Sequence, residues 1–74
     1  MPHVNIKHFP VSMTEAEEAE LVATLTAAVG TAFRVDESVI SIALEPVEAD
    51  VWNDQVYVPE IVGRRDLLRK QPNY

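Results

Sequence analysis

This chain predicts an α/β protomer of the βαβ type, with two parallel strands joined by one crossover helix and a further helix at the C-terminus. Three observations carry that expectation. Residues 3–9 alternate apolar and polar side chains, residues 14–33 repeat apolar side chains every three to four positions, and residues 38–45 (SVISIALE) return to alternation. Alternation is the period of a half-buried strand, and a three-to-four repeat that of an amphipathic helix.

In the first strand Val4 and Ile6 share one face, with His3, Asn5 and Lys7 on the other, and Pro10 ends it. After a loop over residues 11–13, Thr14-Glu15-Ala16-Glu17 has the spacing of a capping box. Ala19, Leu21, Val22, Leu25, Ala28, Val29, Ala32 and Phe33 then form one apolar stripe. Glu15, Glu17, Glu18 and Glu20 place negative charge at the helix start, where the helix dipole favours it. In the second strand Ile40, Ile42 and Leu44 line one face, with Val39, Ser41 and Ala43 on the other. A helix of about 19 residues spans ~28 Å and a seven-residue strand ~23 Å. The helix therefore returns the chain to where the first strand began, which makes the strands parallel and the crossover right-handed. Residues 46–58 read as an irregular segment holding Trp52 and Tyr57. Pro59 suits the first position of a second helix, running to about Lys70 with Ile61, Val62, Leu67 and Leu68 on its apolar side.

The 74 residues make one domain, 47% hydrophobic and 24% charged, without cysteine. Disorder and a disulfide scaffold are excluded. So small a core rarely supplies more than ~3–5 kcal/mol, and two parallel strands do not stand alone; self-association, at least to a homodimer, is expected. A formal charge of −6 argues against nucleic acid or an anionic membrane as partner. Residues 1–63 hold two basic and eleven acidic side chains, whereas residues 64–74 hold four basic and one acidic. Arg64, Arg65, Arg69 and Lys70 either pair with acids of this or a neighbouring chain, or simply suit the end of a helix. The first twenty residues contain no signal-peptide core and no stretch approaches a bilayer span, so a cytoplasmic protein is expected.

Standard catalytic constellations are missing. Gly30 and Gly63 are the only glycines, so there is no phosphate loop. His3 and His8 lie roughly 17 Å apart along a strand, too far to share a metal ion. Ser12, Ser38 and Ser41 have no evident His–Asp partner. One feature remains, Pro2 directly after Met1. Removal of Met1 would leave a secondary amine at the start of a strand, aimed by its ring. An α-amino group titrates near ~7.7–8.0, and burial in an apolar pocket lowers that value. Such a base is matched to taking a proton from an enol or from carbon beside a carbonyl. Met-Pro alone is a weak signal, and a harmless N-terminus is its plainer reading.

Pro2 opening a strand (PHVNIKHFP), the Thr-x-x-Glu helix start, the ISIAL strand, WNDQVYVPEI, and an ending with Leu68, Lys70, Pro72 and Tyr74 together resemble the 4-oxalocrotonate tautomerase family. The resemblance covers nearly the whole chain and is closest to small bacterial phenylpyruvate-tautomerase-like members. It implies a cofactor-independent keto–enol isomerase with Pro2 as general base, acting on a 2-hydroxydienoate or arylpyruvate enol, with no metal. It also implies a dimer rather than a hexamer, since the hexamers belong to the shortest members. A decarboxylase or hydratase of the same superfamily, or a non-catalytic small-ligand-binding oligomer on the same scaffold, are the alternatives.

The sequence departs from the family where its well-studied members carry two arginines. The loop after the first strand reads Pro10-Val11-Ser12-Met13, and the second strand has Ile40 at the arginine position. Their loss favours a smaller or more apolar monoacid over a dicarboxylate. Ile40 is carried as a substrate contact in the arginine's place, and Trp52 as the family's aromatic wall. Trp52 and Tyr57 either line the pocket or cap the core. Arg34, ending the crossover helix near the strand starts, is the first candidate to hold the substrate carboxylate; its alternative is a surface arginine suited to the helix dipole. Lys7 lies about 17 Å along the strand from Pro2, out of reach. His3 adjoins Pro2 but points to the opposite face, a structural position.

Overall fold

In the computed structural model, which describes residues 1–74, the chain runs β1 (His3–His8), α1 (Glu15–Phe33), β2 (Ser41–Pro46) and α2 (Ala49–Trp52), the last continuing into π-helical turns over Asn53–Val62. β1 and β2 pair in parallel, with His3 opposite Ser41 and His8 opposite Pro46. The βαβ unit and its parallel strands are as the sequence predicts. No helix is long and apolar enough to cross a membrane.

α1 starts where the capping box sets it. Thr14 Oγ1 accepts the Glu17 N–H at 3.1 Å, and Glu17 Oε1 accepts the Thr14 N–H at 3.0 Å. The bond from the Thr14 backbone, then that from its hydroxyl, hold the Glu17 carboxyl below its ordinary value of 4.5. The helix closes through Arg34 in the left-handed region, φ 57° and ψ 48°, with the Val35 N–H donating to Gly30 O at 3.1 Å. That geometry is a Schellman-type end, normally given to glycine.

Leu21, Leu25 and Val29, spaced by four, are half-buried along α1. Val4 and Val29 wall the same cavity, which puts the helix on the face of Val4 and Ile6. The rest of the predicted stripe stays open to solvent: Ala19, Val22, Ala28, Ala32 and Phe33 are all exposed, Phe33 at 66%. The opposite face of the sheet is a polar ladder. His3 Nδ1 meets Ser41 Oγ at 2.7 Å, the Asn5 amide donates to Glu45 Oε1 at 3.0 Å, and Lys7 pairs with Glu60 from the C-terminal segment.

Two expectations need correction. β2 begins at Ser41 rather than Ser38, because Glu37–Val39 form a 3₁₀ turn. The Asp36 carboxylate opens that turn by accepting the Ser38 N–H at 2.9 Å, a local side-chain bond that competes with the strand ladder. Bonds from the Ser38 side chain and backbone hold the Asp36 carboxyl below its ordinary 3.8. The C-terminal helix also lies earlier than predicted. It occupies residues 49–62 with Pro59 inside it rather than at its start, and residues 63–70 hold only a 3₁₀ turn at Arg65–Leu67. Wider π turns, with the Gly63 N–H reaching Val58 O at 2.9 Å, displace the carbonyl that an α-helix would press against the proline ring. Gly63 then ends the helix because nothing larger fits. A Cβ there would sit 2.7 Å from Pro59 O.

Only Val47 and Val56 are buried, and neither completely. The accessible surface is 5882 Å², whereas a compact monomer of this mass exposes about 4,600 Å². The radius of gyration is 14.0 Å, in a slab of 35 × 32 × 19 Å, against about 11 Å for a compact chain of this length. The sheet is open, as expected of one completed by another copy.

Two stability predictions follow from these contacts. Thr14→Ala should cost about 1 kcal/mol in urea unfolding. Because the folded Glu17 value lies below the unfolded one, its contribution is complete above that unfolded value and is lost as pH falls through the folded one. The same variant should therefore lose less stability than the parent when acidified from above 4.5. Gly63→Ala should cost roughly 1–3 kcal/mol by the same measurement, through forced displacement of the Pro59 carbonyl.

Candidate active site

Pro2 lies half-buried at the mouth of an open cavity of about 570 Å³, beside the start of β1. Val4 and His3 come from the strand, Val29 and Phe33 from the end of α1, and Val35 from the turn beyond it. Neither a carboxylate nor an ammonium side chain lines this space, and His3 is its one titratable side chain. Met1 also borders it and is 99% exposed. While Met1 is attached, the Pro2 nitrogen is an amide without a basic lone pair; its removal places the amine at the cavity mouth.

The crossover creates this arrangement. A parallel connection must bring the end of α1 back to the start of the strands, so Phe33 and Val35 arrive beside Pro2. Arg34, between them, is fully part of that turn, but its side chain is exposed and makes no hydrogen bond or ion pair. The cation stands beside the cavity rather than in its lining. Ile40 is next to Pro2 by strand register, yet its Cδ1 packs toward Gly30 of α1, 3.6 Å from the position of a Cβ there. It supports the cavity from behind and is not among the lining residues.

Trp52 lies elsewhere. Its ring meets Phe9 edge-on, with centroids 5.0 Å apart and planes at 86°, and with Tyr74 these rings line a second cavity of about 530 Å³. Tyr57 stacks obliquely on Tyr74 at 5.7 Å. Phe9 follows the end of β1 whereas Pro2 precedes its start, a separation of about 23 Å along the strand. Within one protomer the structure does not bring Trp52 to Pro2. Phe9 and Tyr74 were not legible as walls, since each stands alone in sequence. Val29 and Phe33 were visible only as members of the helix stripe.

The remaining candidates sort plainly. The His3 imidazole meets Ser41 Oγ, and the residue also borders the Pro2 cavity. Lys7 is held by Glu60. The tail cations do not pair with the acidic helix of their own protomer, and Lys7–Glu60 is the one ion pair present. No three His, Asp or Glu side chains converge in a metal-holding cluster.

Comparison with known proteins finds full-length relatives. Proteins named tautomerase PptA are 35% identical in Pectobacterium carotovorum, 39% in Klebsiella pneumoniae and 34% in Escherichia coli. Each match runs over 74 residues, 100% of this chain and 97% of the relative. No family model matches the chain.

The aromatic contact is testable by a double-mutant cycle on Phe9→Leu and Trp52→Leu. Edge-on pairs carry about 0.5–1.5 kcal/mol beyond their burial, so a coupling energy in that range is expected. Phe9→Leu alone should also shift the emission of Trp52, the only tryptophan, to longer wavelength.

Proposed function

The chain belongs to the tautomerase family, isomerases that interconvert keto and enol forms by moving a proton, and from that premise we propose that Pro2 is its general base. The observation that carries this reading is the seat of Pro2, a residue one cleavage from a free amine, in a cavity walled by Val4, Val29, Phe33 and Val35. Apolar walls of this kind work against the ammonium form of an amine. The neutral nitrogen takes the enol hydroxyl proton. As the O–H electrons form the carbonyl, the carbon–carbon double bond attacks the proton now on nitrogen, which leaves a new C–H bond and a neutral amine. The cycle returns to its starting state without a cofactor.

The substrate in this reading is a 2-hydroxydienoate or an arylpyruvate-type monoacid. An apolar lining accepts a hydrocarbon or aryl tail, and Arg34, free of acid partners beside Phe33 and Val35, suits a single carboxylate. The assembly is a homodimer. Each protomer exposes about 1,300 Å² more than a compact chain of its mass, and covering that excess on two copies buries about 2,600 Å², the range of obligate dimers. Trp52 then acts from a second copy, since its own protomer holds it at the far end of β1.

Pro2→Ala in protein lacking Met1 should lower kcat/KM for phenylenolpyruvate ketonisation by roughly 10²–10⁴-fold, the usual contribution of a positioned base. Mass spectrometry establishes Met1 removal beforehand, and equal rates for the two proteins would end the general-base reading. Arg34→Gly separates the two roles of that residue. Glycine relieves the left-handed backbone, so the thermal midpoint should hold or rise. Loss of the cation should raise KM severalfold with a smaller effect on kcat, if Arg34 holds the carboxylate in ground and transition states alike. Sedimentation at micromolar concentration should give a dimer.

A further inference from the structure

We infer that the Ser41–His3 pair is a positioning device for the Pro2 amine, an inference that rests on the general-base reading above and deepens it. With Met1 gone, Pro2 is the first residue, and its ring already fixes rotation about the N–Cα bond. One backbone torsion is left to aim the nitrogen, the rotation ψ about its Cα–C bond. That torsion is set by the direction of the Pro2 carbonyl, which accepts the Ser41 N–H at 3.2 Å.

Ser41 is therefore the anchor, and it is itself anchored. Its hydroxyl lies 2.7 Å from His3 Nδ1, on the residue bonded directly to that same carbonyl. The pair so grips the Pro2–His3 peptide from two sides, through the Ser41 N–H and through the Ser41 hydroxyl. Strand alternation keeps the grip out of the chemistry, with the imidazole and hydroxyl on the polar face and the proline ring on the face of α1. The bond forms with either tautomer of the imidazole. A bare Nδ1 accepts from the hydroxyl, and an Nδ1 that carries the proton donates to it. Around the amine, His3 on its own strand and Arg34 beyond Phe33 are the titratable or charged groups, whereas Val4, Val29, Phe33 and Val35 carry no charge.

A loosened grip lets the ring swing out of the apolar cavity into water. Two effects follow together, poorer aim at the substrate and an amine closer to its free basicity. The test is Ser41→Ala in Met1-free protein, with kcat/KM for phenylenolpyruvate measured against pH. A loss of roughly tenfold is expected, since small misplacements of a reacting group are costly, together with an acidic limb moved to higher pH. Ser41→Thr keeps the hydroxyl and should restore both rate and limb. His3→Phe should reproduce the Ser41→Ala behaviour, and the double variant should be no worse than either single one. If Ser41→Ala does not fold, His3→Phe carries the same test. An unmoved acidic limb in the folded variants overturns the inference, whatever happens to their thermal midpoints. Failure of the general-base reading is distinguishable, because it appears as activity retained in Pro2→Ala.

Discussion

The parallel pairing of β1 and β2, with His3 opposite Ser41 and His8 opposite Pro46, is the constraint from which the rest of the molecule follows. Parallel strands need a long crossover, and the crossover here is α1, long enough to cover one sheet face and to end beside the strand starts. That return brings Phe33, Arg34 and Val35 to Pro2. The same pairing leaves both strand edges unsatisfied, since each strand has one neighbour, and an open edge recruits another strand. The cavity beside Pro2 and the open strand edges therefore have one origin.

The two faces of this small sheet divide the work. On the α1 side, Val4 with Val29 builds an apolar space beside a residue that carries the only ring nitrogen of its kind there. On the other side, cross-strand bonds from His3, Asn5 and Lys7 tie β1 to β2 and to the C-terminal segment. A polar group used as a tie on one face costs the apolar face nothing, because alternation separates them by the thickness of the backbone. The start of β1 thus has an apolar space on one side and polar ties on the other.

The distribution of cations also has a physical logic. Where the family resemblance leads one to expect two arginines, the loop over residues 10–13 and Ile40 before β2 carry no charge. Arg34 is placed at the cavity edge by the helix turn, and it occupies a left-handed conformation that favours glycine. Its guanidinium makes no ion pair there.

The sequence by itself determined the order and kind of the main elements. Alternation over HVNIKHF, the Thr14–Glu17 box and the stripe through Leu21, Leu25 and Val29 are local signals, each written within a few residues, and their lengths implied parallel strands. Pro2 stood out as a candidate for the same reason, as a chemical property of one residue, and the family resemblance rested on the order of those pieces. Tertiary structure decided the rest. Whether Ser38 began a strand or a turn depended on the Asp36 carboxylate finding its N–H, and whether Pro59 opened a helix or sat within one depended on the width of the turns around it. That Trp52 joins Phe9 and Tyr74 far from Pro2, and that Ser41 grips both the Pro2 carbonyl and His3, are contacts between residues distant in the chain. Periodicity records which face a residue takes; only the folded chain decides what lies opposite it.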